Sequence, residues 1–332
     1  MGDLGRAKME FEATVHAGEG KTLIDMDKSN FLAAQARLAA LNSGAPQPVI
    51  PSPPKRADAP NALPTPALVL PRGVPASAAA GGQRVALVIG NSEYGIGRLA
   101  NPRQDADAIS ALLKQTGFTA VTIIRDVKRE ELVNALRAFA EQADKADWAV
   151  VYYAGHGVEI GGVNYLLPID AKLASDRDVQ FEGVPLEQAL TSIEQAKKLR
   201  LVFFDACRDN PFLPQMRRTP AAAPVALDRS GPIAVATRSV GRGLGRAELG
   251  KQTGGTLVVY SAKHGQTALD GEGANSPFAI ALAQRLATPG VEINKMLRLV
   301  RDDVMEATAG RQEPYTYGSL PGSEDFFFVA EK

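Results

Sequence analysis

Three histidines and a single cysteine stand in this 332-residue chain, and one histidine and the cysteine have flanks that suggest chemistry. His156 sits between two glycines in YYAGHG, where the apolar run DWAVVYYAG stops. Cys207 closes a second apolar run, LRLVFFDAC, 51 positions further on. A thiol beside an imidazole is what a cysteine nucleophile needs: the imidazole takes the thiol proton and later protonates a leaving amine. Gly157 adds a backbone N–H with no side chain to block a substrate. With the N–H of Cys207 it offers a pair of donors for the oxyanion of a tetrahedral intermediate. Plainer alternatives stand beside these. A lone cysteine after an apolar strand is often an inert core residue, and a histidine between glycines is often a turn residue.

The surrounding elements decide whether the two side chains meet. From Arg84 the chain alternates short apolar runs with amphipathic stretches. RVALVIGN, TAVTIIRD, DWAVVYYAG, LRLVFFDAC and TLVVYSA read as buried strands, and so does the terminal DFFFVA. NPRQDADAISALLKQTG, KREELVNALRAFAEQADKA, PLEQALTSIEQA, NSPFAIALAQRL and EINKMLRLVRDDVMEATAG read as helices, with Asn101-Pro102 and Asn275 or Ser276 as starts. A hairpin is expected around Gly161-Gly162. This alternation predicts an α/β fold with a mostly parallel sheet and helices on both faces. In such sheets, sites form beyond the carboxyl ends of the strands. His156 is expected just past the third strand and Cys207 at the end of the fourth, so neighbouring strands would bring them together.

These residues are similar to a known family. YYAGHG and FFDACRDN resemble the histidine and cysteine motifs of caspase-like cysteine peptidases of the bacterial orthocaspase type, with the metacaspases and paracaspases nearby. ALVIGNSEY, LANPRQDADAI, NYLLPID, TALDGEGANSPF and RQEPYTYGSL extend the likeness from about Arg84 to the end. The resemblance implies the caspase-like sandwich, with His156 as general base and acid and Cys207 as nucleophile. It implies Gly157 and Cys207 as oxyanion donors, and Asp105 and Asp205 as an acidic pocket for an Arg or Lys before the cut. On pattern alone, Asp205 equally caps a turn, and Asp105 equally suits the first turn of its helix. Metacaspases usually carry Ser where Ala154 stands, which removes one polar contact from the pocket. The activity implied is endopeptidase cleavage of protein or peptide substrates, with self-cleavage after Arg217, Arg218, Arg229, Arg238, Arg242, Arg246 or Lys251. An idle caspase-fold binding module is the alternative, although this chain retains both members of the dyad. The resemblance requires no cofactor. Asp170, Asp176, Asp178 and Glu182 fall where some metacaspases bind calcium. They lack close Asp-Asp pairing and have Arg177 among them, so a solvated face is expected, with no metal ligands.

The remaining sequence bounds the possibilities. Residues 1–45 hold one expected helix, and the Pro/Ala-rich stretch 46–82 reads as a disordered linker. Residues 83–332 form the expected peptidase domain: a large part over 83–212, an irregular loop over 213–254 and a small part over 255–332. Lys plus Arg balance Asp plus Glu at 37 each, which gives no reason to expect nucleic acid or membrane partners. One cysteine excludes an intrachain disulfide. No secretory signal or apolar span is visible, so a cytoplasmic location is expected. The glycines of GIG at 95–97 and GRGLG at 241–245 lack the lysine and spacing of a nucleotide loop.

Overall fold

In a computed structural model the described residues are 82–160, 162–207, 216, 254–263, 266, 268–271 and 273–331, without the side chain of Cys207. The expected N-terminal helix, the linker (but for Gly82) and nearly all of the 213–254 loop lie outside them.

The chain runs β1 (Arg84–Gly90), α1 (Pro102–Gln115), β2 (Ala120–Arg125), α2 (Arg129–Ala143), β3 (Trp148–Ile160) and β4 (Val163–Leu166). There follow α3 (Val179–Glu182), β5 (Val184–Pro185), α4 (Leu186–Thr191) and β6 (Leu199–Cys207). The last elements are β7 (Gly255–Tyr260), α5 (Pro277–Leu286), α6 (Ile293–Ala307) and β8 (Tyr315–Ser319). The main sheet has the order β2-β1-β3-β6-β7-β8, with β8 antiparallel to β7 and the other pairs parallel.

Alternation along the buried strands makes two cores. Val88, Val150, Tyr152, Leu201, Phe203 and Val259 face α1, α5 and α6, whereas Leu87, Val151, Tyr153, Val202, Phe204 and Val258 face α2 and α4. Full burial of a Phe or Leu contributes about 2–3 kcal/mol. Helix α5, with Phe278, Leu282 and Leu286 almost wholly buried, is therefore held mainly by packing. Its cap is Ser276, whose Oγ accepts from the Ala279 N–H at 3.0 Å. Asn101 precedes α1 without a side-chain cap bond, and its amide N–H donates to the Asp270 carbonyl.

Two expectations are corrected. The third strand does not stop before His156 but continues to Ile160. Its pairing with β1 ends at Ala154 and its parallel pairing with β6 ends at His156↔Cys207. From Gly157 it pairs antiparallel with β4. The glycines read as a stop are positions of close approach: a Cβ on Gly157 would lie 2.7 Å from Phe204 Cζ. The run DFFFVA is not a strand, and it joins the structure through an isolated bridge, Glu292↔Phe327. Phe326 and Phe328 insert into the core against Trp148, while Arg84 donates to the carbonyls of Phe327 and Phe328. The antiparallel edge strand comes instead from the more polar YTYGS.

Among the described residues, no helix is long and apolar enough to cross a membrane.

Candidate active site

After β1 the chain moves outward to β2 and then returns to the other side of β1 as β3. This switch point opens a crevice at the carboxyl ends of the central strands. His156 and Cys207 are register partners there, on adjacent parallel strands. The imidazole is buried, 5% exposed, and its Nε2 lies 2.5 Å from the Gly97 carbonyl oxygen. A carbonyl only accepts, so Nε2 carries the proton and Nδ1 holds the lone pair of the neutral ring. Burial pushes the imidazole below its ordinary pKa, while the Gly97 bond and the charge of Asp270 pull the other way.

The Gly157 N–H has a definite direction. Leu167 N–H donates to the His156 carbonyl at 3.0 Å, which makes 156 and 167 a hydrogen-bonded pair. Gly157 and Leu166 then form the alternate, non-bonded pair, and the Gly157 N–H points away from β4 towards the β6 side.

Three carboxylates gather on the α1 and α5 side. Asp205, two residues before Cys207 on β6, accepts from Tyr152 Oη at 3.0 Å and Ser276 Oγ at 3.0 Å. Asp105, in the first turn of α1, accepts at Oδ1 from Asn275 Nδ2 at 2.8 Å and from the Ser276 N–H at 3.0 Å. Ser276 thus bridges the two acids, and both are buried. The third is Asp270, half-buried in the segment before α5, whose Oδ2 accepts from the Ala100 N–H at 2.9 Å. Desolvation, then the charge of Asp205, pushes Asp105 up to about 8. Desolvation raises Asp205 to about 6 against the bonds from Tyr152 and Ser276. Desolvation also raises Asp270. Among the described residues, no lysine or arginine forms an ion pair with any of the three.

The family resemblance pointed to Asp105 and Asp205 and missed Asp270. The only signal for Asp270 was its place in TALDGEGANSPF, just upstream of the α5 cap. Ala154 lies beside the cluster as the register partner of Asp205, and its carbonyl accepts from the Asn91 N–H at 2.9 Å. The acidic segment after the hairpin is used differently. Asp170 accepts from the Arg129 N–H, Asp178 from Ser175, and Glu182 from both Lys172 and Leu173. No group of three or more metal-binding side chains occurs among the described residues. His16 and His264 lie outside them.

Comparison with known proteins gives two results. Residues 83–323 match the caspase domain family. A stretch of 128 residues is 32% identical to the mucosa-associated lymphoid tissue lymphoma translocation protein 1 homolog of Mus musculus. It is equally similar to the corresponding Homo sapiens protein, mucosa-associated lymphoid tissue lymphoma translocation protein 1. Each match covers 38% of this chain, which spans only 15% of the length of those curated relatives.

Proposed function

Since the chain belongs to the caspase domain family of peptidases, we propose that it is a cysteine endopeptidase cutting peptide bonds after Arg or Lys. The observation that carries this reading is the cluster of Asp105, Asp205 and Asp270 beside the His156↔Cys207 register pair. An arginine side chain entering the cluster would find carboxylates able to bind its guanidinium in bidentate fashion. An aspartate would add a further negative charge to a desolvated anionic site, which disfavours it strongly.

In this mechanism Nδ1 of His156 takes the thiol proton of Cys207, and the thiolate attacks the carbonyl carbon. The N–H groups of Gly157 and Cys207 hold the oxyanion. The imidazolium, stabilised by the Gly97 carbonyl and Asp270, gives its proton to the leaving amine as the C–N bond breaks. A water deprotonated by the same imidazole then hydrolyses the thioester and restores the thiol. The apolar Ala154 beside Asp205 leaves recognition of the cation to the carboxylates. The basic residues between β6 and β7, from Arg217 to Lys251, are candidate substrates of the same activity in self-processing.

The test is a peptide series differing only at the residue before the cut, Arg, Lys, Ala or Asp, assayed with the wild type and Cys207→Ala. Cleavage confined to Arg and Lys peptides, and abolished in the variant, is expected. Turnover persisting in Cys207→Ala, or preference for Asp, refutes the assignment. No turnover of any peptide by folded wild type favours the idle binding module.

A further inference from the structure

The backbone of His156 is bonded in an unusual way. A hydrogen-bonded antiparallel pair normally exchanges two N–H···O bonds. Between His156 and Leu167 only one is direct, from the Leu167 N–H. The return bond passes through a side chain. The His156 N–H donates to Tyr94 Oη at 2.9 Å, and that hydroxyl donates to the Leu167 carbonyl at 2.9 Å. The Tyr94 ring also packs on the imidazole, with centroids 4.5 Å apart and planes tilted by 53°. Beside it, 3.3 Å from Tyr94 Oη, Tyr153 Oη donates to the His156 carbonyl at 2.7 Å and accepts from the Leu167 N–H at 3.1 Å. Both tyrosines are buried. Space for their hydroxyls depends on residue 155 being glycine, because a Cβ there would lie 2.6 Å from Tyr94 Oη and 2.9 Å from Tyr153 Oη.

We propose that Tyr94 is a positioning residue for His156, its hydroxyl acting as a one-atom spacer in the β3–β4 ladder and its ring fixing the plane of the imidazole. The proposal rests on the cysteine–histidine reading above. The spacer lies at the place where β3 leaves parallel pairing with β6 and takes up antiparallel pairing with β4. Without it, the direct His156–Leu167 bond closes and draws His156 towards β4, away from the strand that carries Cys207. A displacement of about 1 Å in such a pair costs on the order of a hundredfold in rate.

Because Cys207 is the chain's only cysteine, its alkylation by iodoacetamide reads the thiolate directly and needs no peptide substrate. In wild type, alkylation at pH 6 is expected to exceed that of His156→Ala, since a nearby imidazole raises the thiolate fraction. Tyr94→Phe, which keeps the ring and loses the hydroxyl, is expected to alkylate roughly tenfold more slowly at pH 6. Its kcat should fall by roughly ten- to a hundredfold with KM within about twofold. Should Tyr94→Phe not fold, 4-aminophenylalanine and 4-methylphenylalanine at position 94 fill the same space with and without hydrogen bonding. The amino form should match wild type and the methyl form should be slowed. Equal alkylation by wild type and His156→Ala refutes the cysteine–histidine reading itself. A clear difference there, with Tyr94→Phe or the methyl form matching wild type, overturns the positioning role alone.

Discussion

Asp105→Asn should make the protein more stable at neutral pH while impairing its selectivity. Asp105 is 1% exposed, and burial together with Asp205 raises its pKa to about 8. The unfolded chain releases this proton near the ordinary value of 3.8. Between those values the folded state holds a proton that the unfolded state has lost, so stability falls as pH rises. Each pH unit removes a little over 1 kcal/mol per proton, or about 3 kcal/mol between pH 5 and pH 7. Asparagine can imitate the protonated acid, because its amide oxygen can accept the same bonds from Asn275 and Ser276. The variant should therefore lack this slope. Urea unfolding of both proteins from pH 5 to pH 7 should show curves that diverge by about 3 kcal/mol, on the order of 10 °C in melting temperature at the upper end. An arriving guanidinium favours the ionised form of Asp105, which asparagine cannot supply, so kcat/KM for an Arg peptide should fall by roughly ten- to a hundredfold. Parallel stability curves, or an Asn variant less stable at pH 7, would refute the reasoning.

Three further outcomes are expected. The pH profile of kcat/KM should fall off on the acid side below the ordinary imidazole value of 6.5, because burial lowers the His156 pKa. In Asp270→Asn that limb should move to still lower pH, since the imidazolium loses a favourable charge; an unmoved or alkaline-shifted limb counts against it. Gly157→Ala should lose about 1–3 kcal/mol in thermal or urea melts, because its Cβ would meet Phe204 at 2.7 Å and Ala206 at 3.1 Å. An unchanged melt would show that the Phe204 ring gives way.

The alternation of apolar runs with amphipathic stretches made most of the sheet legible in the sequence. LRLVFFDAC forms β6 with the expected ends, because a strand buried on both faces needs a continuous apolar run. The end of β3 was not legible. Glycine commonly marks a break, but here Gly155 and Gly157 leave room for the hydroxyls of Tyr94 and Tyr153 and the ring of Phe204, and Tyr94 and Phe204 lie far away in sequence. DFFFVA misled for a related reason: three phenylalanines suit a strand, yet two of them fill a core pocket beside Trp148. His156, Cys207, Asp105 and Asp205 carry local motifs, so they could be named. Asp270 and Tyr94 reach the site only through tertiary contacts with Ala100, Asn101 and the His156 backbone.

Ser276 has a consequence for how the molecule is assembled. It stands C-terminal to β7, yet it joins an acid of α1 to an acid of β6. Around it, β6 and β7 run in register from Leu199↔Gly255 to Phe204↔Tyr260. Arg200 bonds Thr256 and the Gly254 carbonyl, Lys198 reaches Glu324, and Arg84 holds the carbonyls of Phe327 and Phe328. None of these bonds is made by a residue between Cys207 and Gly254. Two separate polypeptides, one ending after β6 and one beginning before β7, would carry every one of them and could complement each other as fragments. Neither fragment alone would hold the carboxylate cluster, since its bridging serine belongs to one piece and Asp105 and Asp205 belong to the other.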